Sequence, residues 1–192
     1  MDINEKIITH VENFIDKNRH LPRVKFRFIL GKYSKHFGFE PHIFQKEKYE
    51  EIKTFLESCV LWENNDIHTE NENDNDNDND NDNENENLIL CTNGSYDLMV
   101  TPNLNSNILG IRNITSFNIR CHAFTLSIIK NTLNEIYYTF EIIAKVPVNY
   151  TSKYISHSSL LKIGDILTKI NHDLDLLNEI TTYIGLFMIY SF

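Results

Sequence analysis

From residue 71 to residue 87 the chain alternates asparagine with aspartate or glutamate. A stretch of that kind has no apolar surface to bury, and its charges repel one another. It divides the 192 residues into two parts that must build one core between them. The expectation is a single domain over residues 1–192, with an unstructured Asn/Asp/Glu-rich insert over 64–87. Expansion of a simple repeat is the plain origin of such a tract, and binding of basic partners the functional alternative. The tract also accounts for the acidity of the chain. Removing its eight acidic groups from the formal charge of −9 leaves −1 for everything else. The folded part is close to neutral, so no acidic function follows from the overall charge.

Cys59, Cys91 and Cys121 form no C-x-x-C pair and are odd in number, which argues against a disulfide framework or a zinc ribbon. They are expected to be buried free thiols. The start, Met1 to Glu5, lacks the cationic and apolar signature of a secretion signal. The sequons at Asn93, Asn113 and Asn149 then read as accidents of an Asn-rich chain. The apolar run from Ile184 to Phe192 is far shorter than the ~20 residues a membrane span needs. An intracellular protein is expected, with no membrane partner.

Ile3, Ile7, Ile8, Val11, Phe14 and Ile15 lie at helical spacing, which predicts a helix over 3–18. Pro22 closes that run. Over 23–30 the pattern changes to alternation: Arg23, Lys25 and Arg27 on one side, Val24, Phe26 and Phe28 on the other, a strand with a charged and an apolar face. Gly31 and Gly38 bracket a short loop, and 44–60 returns to helical spacing through Phe44, Tyr49, Ile52, Phe55, Leu56 and Val60. After the acidic tract, Leu88 to Thr92, Asn93-Gly94 and Tyr96 to Val100 predict a hairpin. Residues 108–130 and 135–148 are rich in β-formers, and 131–134 can join them as a second hairpin. The runs 160–170 and 173–190 fit strand or helix equally. Helices in front and strands behind indicate an α+β domain, and closure of the strands is one way to protect their edges.

The familiar catalytic signatures are absent. The eight histidines show no H-E-x-x-H or similar spacing. Ser152, Ser156, Ser158 and Ser159 have no G-x-S-x-G context, and no G-x-x-x-x-G-K phosphate loop occurs. A basic stretch does stand out: Lys17, Arg19, Arg23, Lys25, Arg27, Lys32 and Lys35, with Phe26, Phe28, Tyr33 and Phe37 among them. That mixture suits a nucleic-acid backbone and bases, and equally an ordinary solvated strand and loop.

Several segments in order resemble a known family. Val24 to Lys32, followed by Gly38-Phe39-Glu40-Pro41 and a helix ending Phe55-Leu56-Glu57-Ser58, is similar to the opening of the fungal and protist RNA 5′-triphosphatases of mRNA capping, members of the triphosphate tunnel metalloenzymes. Gly110 to Thr115 resembles that family's Ile-Arg-x-Thr strand, and Tyr138 to Val148 its strand ending Glu-x-Pro-Val. Ile155-Ser156-His157 and Asp165 to Lys169 resemble two later strands, and Asp173-Leu174-Asp175 the closing Glu-x-Glu strand. The resemblance implies an eight-stranded antiparallel tunnel with charged side chains inside and helices flanking it. It implies Mg²⁺ or Mn²⁺ held by paired carboxylates of the first and last strands, here Asp173 and Asp175. It implies triphosphate gripped by basic groups, here Arg112 and Lys130, and a water attacking the terminal phosphorus. Nascent RNA and a guanylyltransferase would be partners, the nucleus the compartment, and a homodimer one arrangement the family leaves room for.

The same comparison exposes departures. Lys25 and Arg27 stand where the metal-holding glutamates belong, Ile29 and Thr139 at arginine positions, and Lys145 at a glutamate position. A cation there repels a hard divalent metal, which needs anionic oxygen ligands. If the first strand lies beside residues 173–175, Lys25 and Arg27 would pair with Asp173 and Asp175, and ion pairs would replace the metal. The expectation is therefore a capping-type triphosphatase or a degenerate relative, a pseudoenzyme. The alternatives are a non-catalytic interaction module of the capping or transcription machinery on the same barrel, and a plain RNA-binding domain.

Overall fold

The computed structural model describes residues 3–21, 24–58, 63–70, 87–91, 96–102, 111–119, 122–131, 133–147 and 149–170. Helix α1 (Ile3–Asn18) buries Ile8, Val11, Phe14 and Ile15, the stripe that its apolar spacing marks out. Asn18 Nδ2 donates to Phe14 O at 2.9 Å and takes up a carbonyl left over at the helix end. Strand β1 (Lys25–Ser34) runs past Gly31 to a turn at 35–37, and β2 (Gly38–Pro41) folds back on it. The expected loop from Gly31 to Gly38 is thus mostly strand. Gly38 takes φ 77°, a left-handed backbone that glycine adopts without strain. Helix α2 (Lys46–Ser58) follows, burying Tyr49, Ile52 and Leu56.

Strand β3 (Glu63–Glu70) corrects the expected extent of the insert. It pairs antiparallel with β6 (Ile111–Ile119), from Glu63↔Asn118 to Glu70↔Arg112, so ladder hydrogen bonds order a segment poor in apolar residues. Strands β4 (Leu88–Leu90) and β5 (Asp97–Pro102) form the expected hairpin, Leu88↔Val100 to Leu90↔Leu98. Residues 108–130 resolve into two strands, β6 and β7 (His122–Lys130), and β7 pairs in turn with β8 (Ile136–Lys145). At the β7–β8 turn Asn131 Oδ1 accepts from the Leu133 and Glu135 amides, each at 2.9 Å.

The chain then forms helix α3 (Ser152–Ile170) where the family resemblance implied strands at 155–157 and 165–169. Ile155, Ser159 and Ile163 recur every four residues and are all buried, which a helix satisfies and a strand does not. Ser158 and Ser159 return their hydroxyls to the carbonyls of Tyr154 and Ile155, both at 2.7 Å, so polar groups enter the packed side of the helix without loss. Among the described residues no helix is long and apolar enough to cross a membrane. Cys91 is exposed, contrary to the buried thiol expected of it; Cys59 and Cys121 lie outside the described residues.

The strands form one antiparallel path, β3-β6-β7-β8-β1-β5-β4, with β2 added to β1. Seven strands lie on the path, and its ends, β3 and β4, do not pair among the described residues, so the sheet there is not closed into an eight-stranded barrel. One sheet face carries Phe26, Phe28 and Leu30 of β1, Leu98 and Val100 of β5, Phe124 and Leu126 of β7, and Phe140, Ile142 and Ala144 of β8. These residues join the buried side chains of all three helices in one core. Phe14 meets Phe26 edge-on at 6.1 Å, and Phe124 stacks on Phe140 at 5.3 Å. Each such ring withdrawn from water contributes about 1.5–3 kcal/mol, so this face decides which side the helices cover. The alternate residues turn to the other face.

Candidate functional site

The other face is polar, and its centre is buried while its Lys25–Lys145 end is exposed. Strand alternation puts Lys25, Arg27 and Ile29 of β1 on it, beside Thr139, Glu141, Ile143 and Lys145 of β8. Across β8 come Thr125 and Ser127 of β7, then Arg112, Ile114 and Ser116 of β6. Glu141 is 5% exposed and Arg112 7%, values rare for ionised side chains that lack a partner. Both have one. Arg112 Nη2 lies 2.8 Å from Glu141 Oε1, reaching over β7, and its Nε donates to Ser127 Oγ at 2.9 Å. From the opposite side Arg27 brings Nε and Nη2 to 2.5 Å from Glu141 Oε2. Two guanidinium groups therefore hold the two oxygens of one carboxylate.

That geometry fixes what Glu141 can do. Charge-assisted bonds of this length are the strong kind, and they engage both carboxylate oxygens. A divalent metal needs several anionic oxygens and finds this carboxylate occupied and flanked by cations. Among the described residues no three His, Cys, Asp or Glu side chains are grouped to hold a metal ion. Among the described side chains of this face, the donors around Glu141 do not fit Mg²⁺ or Mn²⁺.

The expected site residues are dispersed differently from the expectation. Arg112 is on the enclosed polar face, bound to Glu141. Lys130 is exposed at the end of β7 and follows Ile129, the register partner of Arg112, so it belongs to the opposite sheet face. Ile29 is a buried apolar residue on the polar face, with Glu141 and Met99 as its register partners. Thr139 is half-buried opposite Ser127. Lys25 and Lys145 are exposed and stand directly opposite each other at the end of the β1–β8 ladder. Asp173 and Asp175 lie outside the described residues. Along the sheet, Arg27 has Ile143 of β8 on one side and Thr101 of β5 on the other. Among the described residues its ion-pair partner is Glu141.

Glu141 is not among the residues the sequence reading singled out. Its signal is a lone acid among Phe140, Ile142, Ile143 and Ala144, in phase with Thr139. The basic stretch 17–35 does not form one surface either. Phe26 and Phe28 are core residues, and Arg19 donates to Tyr150 O and Ser152 Oγ at 3.1 and 3.2 Å. Lys32 lies 3.5 Å from Asp97 Oδ1. Tyr33 and Phe37 remain exposed at the β1–β2 hairpin.

A second buried polar cluster sits on the helix-covered face. His122 Nε2 lies 3.0 Å from Ser159 Oγ and 3.2 Å from Ser158 Oγ, tying β7 to α3. Burial pushes its pKa down to about 3, with nearby Lys162 acting in the same direction. An imidazole held neutral here fastens a helix to a sheet, and the two serine hydroxyls are engaged by helix carbonyls.

No family model matches this sequence, and no curated protein matches it. Among solved structures it is similar to the S. pombe Pct1 RNA triphosphatase in complex with the Spt5 CTD. The identity is 10% and the TM-score 0.45, over 98% of this chain and 93% of that one.

Proposed function

We propose that this chain is a degenerate relative of the capping RNA 5′-triphosphatases, a tunnel-type domain that serves the capping or transcription machinery without hydrolysing phosphate. The observation that carries the reading is the double clamp on Glu141. Metal-dependent phosphoryl hydrolysis needs carboxylates free to hold the ion and orient water. Among the described side chains this face offers two carboxylates: Arg27 and Arg112 engage both oxygens of Glu141, and Asp97 accepts from the Tyr33 amide and lies near Lys32. In this reading the polar face is the inner wall of the barrel. Its supports are the burial of Thr125, Ser127, Arg112 and Glu141 on the side away from the helices, and the ordered resemblance of the segments around β1, β6 and β8. A guanylyltransferase, nascent RNA and the nucleus are the setting that follows from the same resemblance.

The test is orthophosphate release from 5′-triphosphate RNA with Mg²⁺ or Mn²⁺. The expected result is no release above the protein-free background. Sustained turnover that disappears on changing Asp173 or Asp175 to asparagine would restore the enzyme reading, with those aspartates as metal ligands.

A further inference from the structure

We infer that the surface where the end of α1 meets the start of α3 binds single-stranded nucleic acid, through a tyrosine stack and the cations around it. The inference goes beyond the reading just given and does not rest on it, since no group of the polar sheet face takes part. The chain leaving α1 and the chain entering α3 are fastened together there. Arg19 donates from Nη2 to Tyr150 O at 3.1 Å and from Nη1 to Ser152 Oγ at 3.2 Å. Ser152 Oγ donates in turn to Asp16 Oδ1 at 2.5 Å. At this junction the rings of Tyr150 and Tyr154 stack, with centroids 4.8 Å apart and planes 20° from parallel. Tyr150 is half-buried, and Tyr154, in the first turn of α3, is 37% exposed. The stack is built before any ligand arrives, so a base that extends it immobilises little further side chain.

Cations gather round the stack. Lys17 and His20 are exposed at the end of α1, Lys153 is exposed beside Tyr154, and the Arg19 side chain is 32% exposed. On α1 these face acids as well: Lys17 has interactions of its own, and Glu12 and Asp16 lie on the same helix. Asp16 is divided between Ser152 and Arg19, the latter at 3.8 Å. On α3 the balance is one-sided, because from Ser152 to Gly164 the helix carries Lys153 and Lys162 and no acid. The positive charge therefore lies on the side of the junction that also presents the Tyr154 ring. Cations there suit a phosphate backbone, and the face of an aromatic ring suits any base, which is the pairing that holds single strands without regard to sequence. An acidic peptide would use the cations and leave the ring idle.

The test is fluorescence anisotropy with the full chain in EDTA. The probes are a 3′-labelled, 5′-hydroxyl oligouridylate of about 20 nucleotides, longer than one stacking site, its deoxythymidylate counterpart, and an RNA duplex of the same length. Both single strands are expected to bind, more weakly as salt rises, and the duplex, whose bases cannot reach the ring, to bind at least ~10-fold more weakly. Either sugar supports the inference, and the tighter one names the source as RNA or DNA. Tyr154→Leu is expected to cost ~10-fold, and Tyr154→Phe to retain binding. Lys153→Gln is expected to lower the salt slope by about 0.7 and leaves the stack in place, so it decides the matter if Tyr154→Leu fails to fold by circular dichroism. Lys35→Gln, at the turn between β1 and β2, is expected to change nothing. Binding indifferent to Tyr154 and Lys153 overturns the inference. So does a duplex bound as tightly as the single strand, or polyglutamate that competes as well as unlabelled oligouridylate, which would mark a surface for acidic protein. Phosphate release in the hydrolysis assay would remove the non-catalytic reading and leave this one standing, because the 5′-hydroxyl strand offers no phosphate chain to cleave.

Discussion

Arg27 and Glu141 meet diagonally across the β1–β8 ladder, at 2.5 Å, although the residues directly opposite them are Ile143 and Ile29. The diagonal leaves Glu141 Oε1 open to Arg112 from two strands away. One carboxylate thereby ties β6, β8 and β1 together in the buried centre of this face.

Removing Glu141 leaves two buried guanidinium groups without their counter-charge. Breaking a buried pair from one side costs ~3–5 kcal/mol, more than deletion of an exposed pair. Glu141→Gln is expected to lower stability by that order in urea unfolding. The triple replacement Arg27→Met, Glu141→Leu, Arg112→Met removes all the charges together and is expected to unfold close to the parent. A Glu141→Gln variant as stable as the parent would mean that the arginines find another anion.

Thr125 lies directly opposite Glu141, and its Oγ1 is buried with no hydrogen-bond partner. A buried unsatisfied hydroxyl costs about 1–3 kcal/mol, and a methyl of the same shape removes the penalty. Thr125→Val is therefore expected to raise stability by ~1 kcal/mol. A loss of that size instead would reveal a hydroxyl that is satisfied in solution.

At Gly31 the β1–β2 pair leaves no room for a side chain. A Cβ there would lie 2.2 Å from Glu40 O and 2.5 Å from the Phe39 ring. The ring can turn aside, but the carbonyl belongs to the ladder that pairs Gly31 with Pro41. Gly31→Ala is expected to cost ~1–3 kcal/mol, the range for overpacking, and to loosen the hairpin first. Faster amide exchange at Tyr33, whose amide donates to Asp97 Oδ2 at 2.9 Å, reports it.

How much of this was legible in the sequence depended on whether the deciding contacts were local. The α1 stripe of Ile8, Val11, Phe14 and Ile15, the alternation from Val24 to Phe28, and the two hairpins each follow from neighbours a few residues apart. Helix α3 was obscured because Ser156, Ser158 and Ser159 occupy buried positions that an apolar count scores as surface. Strand β3 was obscured because its order comes from pairing with β6, far along the chain. The candidate site was the least legible part. The alternation of Lys25 and Arg27 announces a charged face and the apolar run around Glu141 marks a lone acid, but register alone decides that the two meet.

His122 gives the stability of the domain a pH dependence whose sign can be worked out. Its folded-state pKa, about 3, lies below the ordinary value of 6.5 that it regains on unfolding. Between those values the unfolded chain binds a proton that the folded chain refuses, so stability present above about pH 6.5 is lost as the pH falls. One such histidine contributes a slope of at most ~1.4 kcal/mol per pH unit in that window. His157, half-buried on α3 with Lys153 nearby and a pKa pushed down to about 4, acts in the same direction. His122→Gln retains a polar group for Ser158 and Ser159 but has nothing to protonate. Unfolding midpoints of the parent and the variant should therefore converge as the pH drops from 7 to 5, the parent falling more steeply. Parallel slopes would show that the imidazole reaches solvent and titrates normally in the folded protein.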